Sequence, residues 1–273
     1  MNFAPFAFQN SQAVTYDSNA QAFFDAAGIT NTTEKNAVNQ LVLDLKSNSL
    51  WNNMFFIYPF VGGTSTTTSY NLKDPNFYQI TWNGGITFSS TGVLSNGTSG
   101  YGNTGWNPKT YSLSFPSITS SLCLSVYSRT NNTNDGEEYG VASGQPAIQM
   151  LAKRTNGNAI FDNYNSTNGR IQTAVTNSQG LFTSSRTAQN YFQAFRNASQ
   201  VGSDLTTNQN TADITTTLNY NLYVLAQNNA GSAASYSTRE LAWMHAGYGL
   251  SSSQVSTLYT IVQNYQTALS RNV

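Results

Sequence analysis

The spacing of apolar positions changes twice along the chain, from helical to alternating and back to helical. Asp17 or Ser18 offers an N-cap oxygen, Ala20, Phe23, Phe24 and Ala27 follow on one face, and Gly28 supplies a stop. Asn31 then precedes Glu34 by three residues, a capping-box-like start, and Ala37, Val38, Leu41, Val42 and Leu45 recur at helical spacing. A last helical turn is expected through Leu50, Trp51, Met54 and Phe55, running into Ile57-Tyr58-Pro59-Phe60, with Gly62-Gly63 closing the section.

From there to about residue 250, short runs rich in β-branched and aromatic residues recur roughly every ten residues, separated by Gly, Asn, Asp and Ser clusters, which is the signal of a sandwich or barrel. The runs span 80–88, 111–115, 122–129, 147–152, 170–175, 191–197, 218–226 and 240–247. Within one of them Leu122, Leu124 and Val126 point to the same side. Gly and Asn crowd residues 95–105 and 131–136, which read as long loops, the usual home of binding in such a fold. The closing helix is set by Ser251 three residues before Gln254, with Val255, Leu258, Val262, Tyr265 and Leu269 on one face.

Residues 1–16 have no period. They carry Phe3, Pro5, Phe6 and Phe8, then Val14 and Tyr16, and read as an extended arm that packs on its own domain or on a partner. The chain therefore divides into an arm (1–16), a helical section (17–60), a β-sandwich (61–250) and a C-terminal helix (251–273), with nothing to separate them into linked domains.

Composition narrows the partners. Twelve basic and twelve acidic residues cancel, and 9% of the 273 residues are charged, against about 25% in a typical domain. Solubility falls to Ser, Thr, Asn, Gln and Gly, and no electrostatic footprint for nucleic acid or anionic membrane exists. Near-zero charge also gives little repulsion between copies. Aromatics make up 13% of the chain, with 16 Tyr and 15 Phe, which favours pleated strands. No apolar stretch reaches the length of a membrane span, and no basic n-region opens the chain, so it is expected to be a mature product from Met1.

Little chemistry stands out. Cys123, the single cysteine, sits in Leu122-Cys123-Leu124-Ser125 and reads as a small strand residue. His245, the single histidine, lies in Ala242-Trp243-Met244-His245-Ala246 and is read as structural, since no nucleophile elbow, zinc set, phosphate loop or dinucleotide fingerprint accompanies it. No cofactor is expected. Calcium stays open because carbonyl and carboxamide oxygens suffice for it, although acidic residues are sparse. The single acidic cluster is Asp135, Glu137 and Glu138; Asp135-Gly136 reads as a hairpin tip, with the two glutamates facing opposite sides of the return strand, a solvated turn rather than a catalytic pair.

The run from Asn229-Ala230-Gly231-Ser232 through Arg239-Glu240-Leu241-Ala242 and Gly247-Tyr248-Gly249-Leu250-Ser251 into the last helix resembles the closing strand and helix of concanavalin A-like, laminin-G-type jelly-roll domains. Phe192-Gln193-Ala194-Phe195-Arg196-Asn197 through Val201 is similar to an earlier hairpin of such domains. The fold implied is mainly β: a concanavalin A-like jelly-roll β-sandwich with N-terminal helices and a C-terminal helix. The stretches 17–30, 50–63, 70–75, 127–131, 177–182 and 259–271, in order, resemble a family of bacteriophage virion proteins. The glucanase relatives of this fold carry a Glu-x-Asp-x-Glu strand motif that has no match here.

That resemblance implies a non-enzymatic virion structural protein: a capsid decoration, fibre or tail-associated subunit, made in the bacterial host cytoplasm and located in the virion. It would assemble as a homo-oligomer and with other virion proteins through Phe3, Phe6 and Phe8 of the arm. The alternative is a carbohydrate-binding module that meets a host surface glycan, with Trp82, Tyr101, Trp106, Arg129 and Asn131 beside the Gly/Asn-rich loops as candidate contacts. A glycan-degrading enzyme ranks third.

Overall fold

A computed structural model describes residues 15–115, 117, 120–144, 147–165, 169–206 and 218–273. The arm phenylalanines Phe3, Phe6 and Phe8 fall outside the described residues. Tyr16, at the arm's end, packs edge-on against Phe24 of the chain's own first helix at 5.2 Å.

In chain order the elements are α1 (Ser18–Ala27), α2 (Thr32–Ser47), β1 (Met54–Tyr58), β2 (Thr81–Asn83), β3 (Ile86–Ser89), β4 (Gly92–Ser95) and β5 (Tyr101–Asn103). There follow α3 (Pro108–Ser114), β6 (Leu122–Ser128), β7 (Tyr139–Ala142), β8 (Ala147–Leu151), β9 (Asn158–Asn165), β10 (Ile171–Ala174) and β11 (Gly180–Ala188). The last are β12 (Tyr191–Arg196), β13 (Ser199–Gln200), β14 (Tyr223–Val224), β15 (Gln227–Asn229), β16 (Ser232–Ala234), β17 (Leu241–Gly247) and α4 (Ser252–Ala268). Among the described residues the strands form two sheets. One has eight strands in the order β13-β12-β11-β6-β17-β4-β3, with β1 also on β17; the other has nine, in the order β10-β9-β8-β7-β14-β5-β2, with β15 and β16 off that path. Among the described strands the pairings are antiparallel except β15 on β7, where the chain doubles back so that Tyr223 and Gln227 both lie opposite Gly140.

Alternation along the strands sorts the side chains into two cores. Leu122, Leu124 and Val126 of β6 face Val141, Ile148, Met150 and Phe161 of the second sheet, the filling of a β-sandwich. The other face of β6 presents Cys123 and Tyr127, joined by Ala242 and Trp243 of β17, to a second core made with the apolar faces of α1, α2 and α4. The helices thus cover the outer face of the eight-stranded sheet. Their ends are capped as the sequence predicts: Asp17 accepts from the Asn19 N–H, Gly28 takes φ 70°, and Ser251 with Gln254 forms a complete capping box. Asn31 caps α2, but Glu34 turns away and accepts from the Gly62 N–H at 3.0 Å, tying the helix to the start of the sandwich.

Three expected elements come out differently. Met54–Tyr58 is a buried strand on β17 rather than the last turn of the helical section, because all five side chains find apolar or paired neighbours on both faces. Residues 111–115 belong to α3: Pro108 follows the N-cap Asn107, whose side chain accepts from the Thr110 N–H, and that start signal outweighs the β-prone composition. The run 80–88 is two strands in different sheets, since Gly84, at φ 64°, turns the chain where a Cβ would sit 2.0 Å from the Ser99 carbonyl oxygen.

Candidate functional site

With one sandwich face covered by helices, the outer face of the nine-stranded sheet is where outward-pointing polar side chains collect. Tyr139, Val141, Ile148, Met150 and Phe161 point inward, so Gly140, Gln149 and Asp162 must point outward on the same strands. They lie in register across the sheet, and hydrogen bonds link them into a chain. Arg170 holds both oxygens of Asp162 through its Nε at 3.0 and 3.1 Å, the Gln149 amide donates to Asp162 at 2.6 Å, and the Gln227 amide donates to Gln149 Oε1 at 2.8 Å. The same Gln227 nitrogen donates to Glu137 Oε1 at 2.7 Å.

Glu137 occupies this row although it precedes β7. Gly140 makes the space: a Cβ there would come within 1.8 Å of Glu137 Oε2. The carboxyl is 4% exposed, and its Oε2 has no hydrogen-bond partner. Burial, reinforced by the charges of Asp162 and Glu138, holds this carboxyl well above the usual carboxylate range. Beyond Gly140 the face becomes aromatic. Tyr223 lies opposite Gly140, Tyr101 stacks on Tyr223 with centroids 4.6 Å apart, and Tyr236, bridged to Glu137, stands 6.4 Å from Tyr101. Arg170 and Gln172 are exposed, and Gln227, Tyr101, Tyr236 and Asn103 are half-buried, so these six form the accessible surface over the buried carboxylates.

Of the candidates read from the sequence, Tyr101 belongs to this face. Trp82 and Trp106 do not: Trp82 lies opposite Gly102 and packs inward against Phe88 at 5.4 Å, while Trp106 is fully buried 5.9 Å from Phe56. Arg129 clamps the chain end, pairing with Glu240 at 2.5 Å and donating to the Arg271 carbonyl at 2.8 Å. Asn131 is exposed and accepts from the Ser178 N–H at 3.3 Å, with no bond to the row.

The acidic turn is also corrected. Asp135 is exposed and pairs with Arg154, but Glu138 is fully buried in an ion pair with Arg239 at 2.6 Å. The glutamates do face opposite sides, each into its own network rather than into solvent. His245 is buried with Nδ1 2.5 Å from Ser125 Oγ, and burial lowers its pKa to about 3. Cys123 is buried too, its thiol pushed up to about 12. Among the described residues no group of three His, Cys, Asp or Glu side chains converges as a metal site would require.

No protein-family model matches the chain, and no curated protein does. Solved structures do. A mutant of Trypanosoma rangeli sialidase displaying trans-sialidase activity is similar over 84% of this chain and 39% of its own, with TM-score 0.53 and 10% identity. Trypanosoma rangeli sialidase in complex with 2,3-difluoro-KDN is similar over 82% and 39%, with TM-score 0.52 and 9% identity. Domain 4 of an extracellular arabinanase from Geobacillus stearothermophilus, in complex with arabinotriose, is similar over 76% of this chain and 98% of its own, with TM-score 0.47 and 13% identity. What is shared is the fold. The chain spans 39% of the length of these sialidases.

The expectation of a non-enzymatic phage virion structural protein is corrected here. Neither a family model nor a curated protein supplies a virion relative, and the structures that share the fold include sialidases.

The sequence reading missed Gln149, Asp162, Arg170, Gln227, Tyr223 and Tyr236. A signal for one of them was present: in 147–151 the polar Gln149 sits between Ile148 and Met150, the alternation of a strand with one polar face. The others needed the register between strands.

Proposed function

We propose that this chain is a carbohydrate-binding module and that the face of the nine-stranded sheet left open among the described residues receives the saccharide. One observation carries the reading: a hydrogen-bonded row of carboxamides and carboxylates crosses from Arg170 to Gln227 and ends against the tyrosines Tyr101, Tyr223 and Tyr236. Saccharides need both halves of such a surface. Aromatic rings stack on the C–H faces of a sugar, and amide groups exchange hydrogen bonds with its hydroxyls. The Gln227 amide nitrogen is held by both Glu137 and Gln149, which fixes the orientation of Gln227 before a ligand arrives and lowers the ordering cost of binding. The fold shared with sialidases is compatible with this reading and is not its warrant.

Hydrolysis is not part of the proposal. Most glycosidases set two carboxyl groups across the scissile bond, sialidases with their tyrosine nucleophile being an exception; here Asp162 is engaged by Arg170 and Gln149, and Glu137 lies buried beside Gln227.

A glycan array followed by calorimetry on the full chain tests the proposal. The wild type is expected to bind, and Tyr101→Ala to weaken binding roughly 3- to 10-fold, matching about 0.5–1.5 kcal/mol for a lost aromatic stack. Gln227→Ala should weaken it as well. A wild type that retains no glycan on the array, or a Tyr101→Ala, Gln227→Ala double variant that binds unchanged, overturns it.

A further inference from the structure

A cleft of about 380 Å³ opens where β5 leads toward α3, lined by Tyr78, Asn107, Thr110, Tyr111, Phe115 and Asn221 among others. Its size falls in the range of small-molecule sites. None of the described side chains lining it is charged. We infer that this cleft is a second saccharide site, for an uncharged sugar, formed by the aromatic corner of Tyr78, Tyr111 and Phe115 and a rim of amides and hydroxyls.

The corner is built from below. Phe55, in the inter-sheet core, supports Tyr111 at 4.7 Å; Phe115 stacks on Tyr111 at 4.5 Å with an interplanar angle of 21° and is 44% exposed. Tyr78 stands 6.3 Å from Tyr111 at 62°, so the rings make two walls rather than one plane. Tyr78 holds φ 57°, a conformation that bulky residues rarely adopt, and the Tyr58 hydroxyl donates to its carbonyl at 2.5 Å. Strain of this kind persists where surrounding contacts impose it, and it collects at ligand clamps.

The rim supplies the polar half. Asn221 spends its amide nitrogen on Asn103 Oδ1 at 3.1 Å, which orients the group and leaves its oxygen as an acceptor. Asn107 is fixed through the Thr110 N–H at 3.1 Å, and the exposed Thr110 hydroxyl stands beside it. An anionic ligand would need a cation that the lining lacks, and a purely apolar one would strand the amides. A pyranose offers what the cleft matches, an apolar face with a hydroxyl rim. The inference is independent of the sheet-face reading, because each site has its own aromatic residues.

The test is calorimetry of the full chain with maltotriose, cellotriose and xylotriose in a Tyr101→Ala, Gln227→Ala background that disables the sheet face. At least one trisaccharide is expected to bind one to one, with Phe115→Ala weakening it at least fivefold and Phe115→Tyr retaining it. Phe115 is exposed, so an unchanged melting temperature in Phe115→Ala confirms that folding is not the cause. Loss of all binding in that background, binding indifferent to Phe115→Ala, or uptake of the dye ANS at the cleft without any of the three sugars overturns the second site. Since the sheet face is judged by Tyr101→Ala and Gln227→Ala in the wild-type chain, failure of one site is distinguishable from failure of the other.

Discussion

A single missing side chain decides the chemistry of the sheet face. Glycine at position 140 lets the Glu137 carboxyl fold back over its own strand, where Gln227 meets one oxygen and nothing meets the other. Burial raises the folded-state pKa of this group above its unfolded value of about 4.3, so its favourable contribution is full below pH 4.3 and is lost as pH rises toward the raised value. Glutamine keeps the accepting oxygen and carries no charge. Glu137→Gln is therefore expected to equal the wild type near pH 4 and to exceed it at pH 8, by about 1 kcal/mol or on the order of 2–4 °C. Urea unfolding at pH 4, 6 and 8 checks this, and a constant difference across the three would show that ionisation is not involved. The acidic cluster was visible in the sequence, but its burial was not, since that depends on Tyr236 and Gln227 arriving some ninety residues later at positions 236 and 227.

At the scale of elements, α4 shows how a helix can be anchored by one cation. Arg271, fully buried, donates to the Pro59, Phe60 and Ala242 carbonyls at 2.7–2.9 Å and to Gln266 at 2.6 Å, and Tyr265 adds a bond to Pro59 at 2.8 Å. The Pro59 and Phe60 carbonyls lie beyond the end of β1, and Ala242 sits at the register shift of β17. Arg271→Met fills similar volume without donors and is expected to cost about 2 kcal/mol, chiefly by taking the donor from the buried Phe60 carbonyl while Tyr265 still serves Pro59 and Gln266 still serves Ala242, read as a lowered urea midpoint with unchanged far-UV dichroism. The helices themselves were legible, because caps and a 3.6-residue period are local signals: Asp17, Asn31, Ser251 and Gln254 all cap where the sequence places them. Met54–Tyr58 and 111–115 were not. Each is an aromatic run whose identity is set by what flanks it, a strand partner in the first case and an N-cap with proline in the second.

Across the whole molecule the eight-stranded sheet carries apolar side chains on both faces, while the nine-stranded sheet is apolar inside and a mixture of polar and aromatic side chains outside. A chain cut at residue 250 would bare Tyr127, Trp243 and Leu181 of the former sheet. It is expected to be recovered as aggregate or as an ANS-binding species rather than as a monomer on size exclusion. The mainly β architecture with helices at both ends was readable from periodicity. The division into covered and uncovered faces was not, because strand alternation tells which residues share a side and says nothing about what lies over it. The tryptophans at 82 and 106 drew notice beside Gly/Asn-rich loops, but the glycine at 102 draws one into the core and complete burial claims the other.

The two faces also differ in their freedom to change. A substitution at Trp243 or Leu181 must still fit between sheet and helices, whereas Thr81, Asn83 and Gln172 on the other side touch the fold lightly. Variation of those outward positions would alter what the surface selects while leaving the scaffold's melting behaviour in place, so a new specificity could be drawn from this chain by diversifying one side alone.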